Sequence, residues 1–186
     1  FFGPAWLINY VMAGNSGGTK AGQGTYGDWA VCNSPIGFFW GGTWVLASKA
    51  ATKDKAKKEV VRQIIEWITL DSSNTGLLYQ WANGTFQWKY GKGADATVNT
   101  KDTVSSGTVM SKSNGKLEFL GNQNMFDYFV PAGTYANGKN LTQYDEVINA
   151  EWRDQVRAYA AGKKDKAAAI KDFKQAVADK YGIDIE

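Results

Sequence analysis

Between positions 35 and 48 the chain reads Pro-Ile-Gly-Phe-Phe-Trp-Gly-Gly-Thr-Trp-Val-Leu-Ala-Ser, so that Phe38, Phe39, Trp40 and Trp44 flank the glycine pair Gly41 and Gly42. These types support non-covalent chemistry. A ring offers a flat apolar face to a ligand, and a backbone without Cβ lets something approach the main chain. The same residues would also serve a bend in a strand whose rings pack in a core. A second group is the turn Gly121-Asn122-Gln123-Asn124, whose three amides provide paired donors and acceptors. Covalent chemistry has far fewer candidates. The chain has no histidine and a single cysteine, Cys32, which removes Ser-His and Cys-His nucleophiles, histidine metal sites, a thiolate zinc cage and an internal disulfide.

The 186 residues suffice for a core, in one domain or two small ones. Eight tryptophans and nine tyrosines exceed ordinary core needs, a surplus compatible with sugar or aromatic-ligand binding. The net charge of +3 comes from 21 basic and 18 acidic residues spread through the chain, so no nucleic-acid footprint stands out. No apolar run approaches the ~20 residues a membrane span needs. The sequence starts within an apolar phrase, Phe1-Phe2-Gly3-Pro4-Ala5-Trp6, and without an initiator Met, which points to a missing upstream half.

The elements that would position these groups follow from periodicity and punctuation. After Gly3-Pro4, residues 5–13 fit a short helix, with Trp6 and Tyr10, and Leu7 and Val11, four apart. Residues 15–27 are a loop, 28–32 a short buried strand closed by Asn33-Ser34-Pro35, and 43–48 a second strand. Over 53–69 Val61, Ile64, Ile65 and Ile68 share one helical face opposite Lys55, Lys58, Arg62 and Glu66. Residues 71–73 are expected to cap a helix carrying Leu77, Leu78 and Trp81, with Gly84 as its left-handed stop. The stretch 85–114 is polar, with one short helix near 100–109, and 116–120 is an extended piece. Residues 124–130 are helical, with Met125 and Phe129 one turn apart. Thr142 and Asp145 resemble a capping box before a helix with the stripe Ile148, Trp152, Val156, Tyr159 and Ala160, ended by Gly162. Asp165 caps the last helix, with the stripe Ile170, Phe173, Val177 and Tyr181 and the stop Gly182. Trp44, Trp67, Trp81 and Trp152 are expected in the core.

The order of these phrases has a parallel. Gly-Pro-x-Trp, then Gly-Asp-Trp, then Trp-Gly-Gly-Thr-Trp with a strand ending in Ala-Ser, then a helix carrying Ala56 and Trp67, precede Asn149-x-x-Trp152-x-x-x-Val156-x-x-Tyr159-x-x-Gly162 and a helix with Ala168 and Phe173. Together they resemble the C-terminal half of the sugar-binding extracellular solute-binding proteins of ABC importers, the group containing maltose-binding protein. The resemblance covers nearly the whole chain, except that 85–114 matches no family phrase.

The resemblance implies a helix-rich α/β fold of the type II periplasmic-binding-protein class, two lobes closing on a sugar. Residues 1–37 would belong to the C-terminal lobe, 38–91 to a crossing strand and helices of the N-terminal lobe, and 92–186 would return to the C-terminal lobe. It implies a substrate-binding component that delivers a mono- or oligosaccharide to ABC permease subunits, without cofactor or nucleic acid. The location would be extracytoplasmic, in a periplasm or lipid-anchored at the outer face of the membrane. The rest of the cleft would come from the absent N-terminal half. Carried over residue by residue, Trp6 and Trp40 would stack on sugar, Gly41 and Gly42 would lie at the cleft floor, and Gln123 and Asn124 would bridge hydroxyls. Each has a plain counterpart, a core ring or an ordinary turn. The alternative functions are a glycan-acting enzyme, which needs two carboxylates flanking the bond, and a stand-alone carbohydrate-binding module. Asp28, Asp127, Asp145 and Glu151 sit at helix starts and exposed faces, a poor setting for the first; four good helices weigh against the β-sandwich of the second.

Overall fold

A computed structural model describes residues 3–35, 37, 40 and 42–182. Among the described residues the chain is helix-rich, 47% helical with two short strands, and so unlike an all-β sandwich. It divides into two compact units, Phe1–Asn137 and Gly138–Glu186.

In the first unit Pro4 opens a helical entry that becomes a π-helix over Ile8–Met12 and a 3₁₀ turn over Ala13–Asn15. The expected helix at 5–13 is therefore helical but wound wide, with i→i+5 bonding. Helix α1 (Lys55–Thr69) begins at Asp54, whose carboxylate accepts the Lys57 N–H at 2.8 Å. Helix α2 (Leu77–Asn83) starts at Gly76 with no side-chain cap, and Asp71 instead accepts the Ser73 N–H in a turn of its own. Gly84 ends α2 at φ 66° as expected. Strands β1 (Gln87–Trp88) and β2 (Thr97–Val98) pair antiparallel. Helix α3 (Gly107–Ser111) lies later than the expected helix near 100–109, because Ser106 provides the cap by accepting from the Val109 N–H. Residues 118–120 form a 3₁₀ turn in place of an extended piece, and α4 (Phe126–Gly133) follows.

The expected strands at 28–32 and 43–48 do not form. Over 28–32 the partner is an amide side chain: Gln123 Oε1 accepts the Val31 N–H at 2.6 Å and Gln123 Nε2 donates to the Val31 carbonyl at 2.9 Å. Over 43–47 no backbone hydrogen bond holds the chain among the described residues, and Trp44 and Leu46 stand 89% and 86% exposed. The core placement of Trp44 is thus corrected, since a strand-like run without a neighbouring strand has nothing to bury its rings against.

The core of this unit joins Ile8, Ala82, Val109, Met110, Leu117, Phe119, Leu120, Met125 and Phe126. Phe119 takes Tyr26 edge-on at 5.3 Å and Trp29 in a stack at 6.3 Å. A second aromatic row runs from α1 through α2 to β1: Phe86 contacts Trp67, Trp81 and Trp88, and Trp81 stacks on Trp88 at 6.1 Å. Trp81 is half-buried, as are Ile68 and Leu77, whereas Ile64 and Trp67 remain at the surface. No residue of α1 is fully buried.

The polar stretch between β2 and α3 ties these parts together. Asn99, 7% exposed, accepts the Phe86 N–H at 2.9 Å and donates to the Trp81 and Thr100 carbonyls at 2.8 and 3.0 Å. One amide thereby closes the C-terminus of α2 onto the strand that follows.

In the second unit, α5 (Asp145–Ala160) and α6 (Lys166–Tyr181) form a helical hairpin. Asp145 receives both the N–H and the hydroxyl of Thr142, Asp165 caps α6 through the Ala168 N–H, and Gly162 and Gly182 end the two helices in left-handed conformations. Trp152 meets Phe173 edge-on at 5.1 Å, Val177 is buried, and Lys180 reaches Glu151 at 2.6 Å. Trp152 nevertheless stays 42% exposed, which corrects its core placement, because a hairpin of two helices covers only one side of the ring.

Replacing Asn99 with Ala strands one buried N–H and two carbonyls. The expected loss is about 3 kcal/mol of unfolding free energy, read from urea denaturation; a change below about 1 kcal/mol would show that water replaces the amide without loss.

Candidate ligand-binding site

Trp6 sits at the head of the first helical turn, where the Leu7 N–H bonds to the Pro4 carbonyl at 3.0 Å and the Tyr10 N–H to the Trp6 carbonyl at 3.1 Å. The turn has an inner and an outer side. Ile8 is buried in the core, whereas Trp6 is 40% and Tyr10 67% exposed. Between them Asn9 reaches across 92 positions of sequence to donate to the Lys101 carbonyl at 2.8 Å. An exposed ring on an anchored turn keeps its apolar face available at little conformational cost.

Trp40 is 62% exposed. Three residues before it, Gly37 passes so close to the end of α4 that a Cβ there would stand 1.9 Å from the Ala132 carbonyl oxygen. Only glycine fits this approach, which fixes the base of the segment carrying Trp40. Gly42 has φ 125°, a conformation side-chain-bearing residues avoid. Gly41, with Phe38 and Phe39, lies outside the described residues.

The amides of the 121–124 turn are engaged internally. Gln123 serves Val31 as described above. Asn124 Oδ1 accepts from the Gly115 N–H at 3.0 Å and the Phe126 N–H at 3.3 Å, and its Nδ2 donates to Asp127 at 2.8 Å. Gln123 keeps one lone pair and one N–H spare and Asn124 one N–H, since a carbonyl oxygen has two lone pairs and an NH₂ group two hydrogens. Among the described residues no hydrogen bond or ring contact joins Trp6 to Trp40, Gln123 or Asn124. Three of the four carboxylates considered for catalysis also have partners: Asp127 takes Asn124, Asp145 takes Thr142, and Glu151 takes Lys180.

Sequence reasoning passed over Asp102. This residue is 6% exposed, its carboxylate accepts the Thr103 N–H at 2.7 Å, and no lysine or arginine pairs with it among the described residues. Burial pushes its pKa above the ordinary carboxylate value, against the opposing pull of the Thr103 N–H, the Asn9 side chain and the Thr103 hydroxyl. No local signal marks it. In Asn99-Thr100-Lys101-Asp102-Thr103 all five residues are polar, and only the fold decides which are covered.

The sign of the pH effect follows. The folded state holds the Asp102 proton more tightly than the unfolded state, so stability falls as pH rises from the unfolded carboxyl pKa, about 3.9, to the higher folded value, and then levels off. Asp102→Asn keeps an acceptor for the Thr103 N–H and removes the charge. The variant is expected to show a smaller fall in melting temperature across that window and to match or exceed the parent at pH 7. Equal pH slopes in parent and variant would refute the assignment.

No protein-family model, no curated protein and no solved structure matches this chain, so the site itself is what bears on function.

Proposed function

We propose that the chain is the C-terminal portion of a substrate-binding component of an ABC carbohydrate importer, with the type II periplasmic-binding fold completed by an N-terminal half. In this reading it captures a mono- or oligosaccharide between two lobes, outside the cytoplasmic membrane, and delivers it to the permease. Trp6 and Trp40 are the stacking platforms. Gly41 and Gly42 form the close-approach backbone beside Trp40, and Gln123 and Asn124 offer their spare amide valences at the cleft edge. The lobes follow the division 1–37, 38–91 and 92–186.

The observation that carries the reading is the exposure of Trp6 on a turn whose neighbours, Ile8 and Asn9, are tied to the core and to Lys101. A ring held open at the surface by a rigid support suits the apolar face of a sugar, which presents C–H groups to the electron-rich π-system. Further support comes from α1, which has an apolar stripe and no fully buried residue, and from the exposed Trp44 and Leu46. Both are surfaces that a second half-domain would cover.

Two outcomes are expected. Alone, these 186 residues supply one wall of the cleft and should bind oligosaccharides more weakly than about micromolar, about 8 kcal/mol. Calorimetry with a panel of oligosaccharides measures this, and tighter binding would contradict the two-wall reading. In the protein carrying both lobes, Trp6→Ala and Trp40→Ala should each weaken sugar binding by about 1 to 3 kcal/mol while barely moving the melting temperature of the unliganded form. Core rings would instead cost about 3 to 5 kcal/mol of stability and leave the affinity of the folded fraction intact.

A further inference from the structure

Gly37 fixes more than the base of the segment carrying Trp40; it also fixes what that segment stands beside. The heavy atoms nearest to a Cβ placed at position 37 are the carbonyl oxygen and carbon of Ala132 and, at 3.1 Å, the Cβ of Tyr135. The backbone here lies against the C-terminal end of α4, and Tyr135 is the side chain it meets. Three further residues of chain span at most about 11 Å, so the Trp40 Cα lies within that distance of the Gly37 Cα. Covalent reach alone keeps Trp40 and Tyr135 in one neighbourhood.

Tyr135 is as open as Trp40, 69% exposed against 62%. Its support is firm. Phe126 seats α4 in the core, and Phe129 and Val130 pack against the same cluster. The end of the helix is closed by its own hydrogen bonds: the Thr134 N–H and hydroxyl donate to the Pro131 carbonyl at 3.0 and 2.7 Å, and the Tyr135 N–H donates to the Ala132 carbonyl at 3.2 Å. The carbonyl that leaves no room for a Cβ at position 37 is thus the one that anchors Tyr135. A ring held open on a fixed backbone meets a ligand with little ordering left to do. Among the described residues no aromatic contact joins Tyr135 to Trp40, so the two rings offer separate faces.

We propose that Tyr135 is a further ligand-binding residue, a second stacking face joined to Trp40 through the packing of Gly37 on Ala132, and that the ligand is an oligosaccharide whose neighbouring sugar rings meet the two faces. The proposal rests on the reading of Trp40 as a stacking platform and narrows the substrate class from mono- or oligosaccharide to oligosaccharide. Each ring covers the apolar C–H face of one sugar unit. A single sugar reaches only one of them.

The test uses the whole chain labelled with 5-fluorotryptophan, with the Trp40 fluorine resonance assigned by its loss in Trp40→Phe. The first arm contains no sugar. A nitroxide attached at Tyr135→Cys, with Cys32→Ser removing the native thiol, should broaden the Trp40 resonance; an unchanged linewidth overturns the proposal. In the second arm maltotriose, cellotriose and mannotriose are titrated at millimolar concentration, with glucose and mannose as the single units. Tyr135→Ala should raise the apparent Kd of the trisaccharide that shifts Trp40 in the parent by about fivefold or more, as for loss of an anchoring ring, and leave the response to the single sugar unchanged. Tyr135→Phe, which keeps the ring, and Tyr90→Ala, which removes a tyrosine 81% exposed elsewhere, should bind as the parent does. Equal trisaccharide affinity in Tyr135→Ala and the parent, or an equal loss for the single sugar, overturns the proposal. A parent whose Trp40 resonance responds to none of these sugars overturns the carbohydrate reading of Trp40 and this proposal with it. That failure is seen in the parent, whereas failure of the Tyr135 assignment alone is seen only in its variants.

Discussion

A stretch of five polar residues, 99–103, with Asn99 and Asp102 buried, is the constraint on which the first unit depends. Asn99 closes the end of α2 onto β1, the Lys101 carbonyl receives Asn9, and Asp102 is enclosed with a carboxyl that has no cationic partner among the described residues. Each satisfied amide bond adds about 1 kcal/mol net, yet each one lost would leave a covered group unpaired at 1 to 3 kcal/mol. That asymmetry makes the stretch a device for specificity more than for strength. Gly84 belongs to it too: the residue is left-handed, and a Cβ there would stand 2.9 Å from the Lys101 Cγ.

The same solution recurs in other loops whose backbone lacks a sheet partner. With one short two-stranded ribbon among the described residues of the unit, long loops must find other donors and acceptors. Side-chain amides provide them. Gln123 pairs with Val31 as a neighbouring strand would, Asn124 takes the Gly115 N–H, and Asn83 joins the Tyr79 carbonyl to Ser113 and the Asn114 N–H. An amide cluster in the sequence therefore carries a double meaning here, since the groups that suit hydroxyl recognition also suit loop closure.

The aromatic surplus divides in a similar way. Tyr26, Trp29 and Phe119 pack with the core, and Trp67, Trp81, Phe86 and Trp88 form the row beside α2. Trp88 enters that row at a cost, because its Nε1 is buried with no hydrogen-bond partner among the described residues. Trp6, Tyr10, Trp40 and Trp44 are left outside. Composition counts all of these rings alike, and only their supports distinguish a platform from a core contact.

What the sequence determined by itself is local. The stripe of α1, the Asp54 and Asp165 caps, the glycine stops at 84, 162 and 182 and the helix after 124 are written in neighbouring residues, because caps and 3.6-residue periodicity act within a turn or two. Trp40 could also be singled out beside its glycine pair, and Trp6 through the resemblance of Gly-Pro-x-Trp, but their exposure could not. What only the tertiary structure decided spans long separations. The runs 28–32 and 43–48 have strand-like composition but meet no strand, and β-propensity becomes structure only when a partner lies alongside. Asn99 meets Phe86 and Trp81, 13 and 18 residues away, and the bond from Asn9 to Lys101 spans 92 positions; such meetings in space are announced by nothing in a polar pentapeptide.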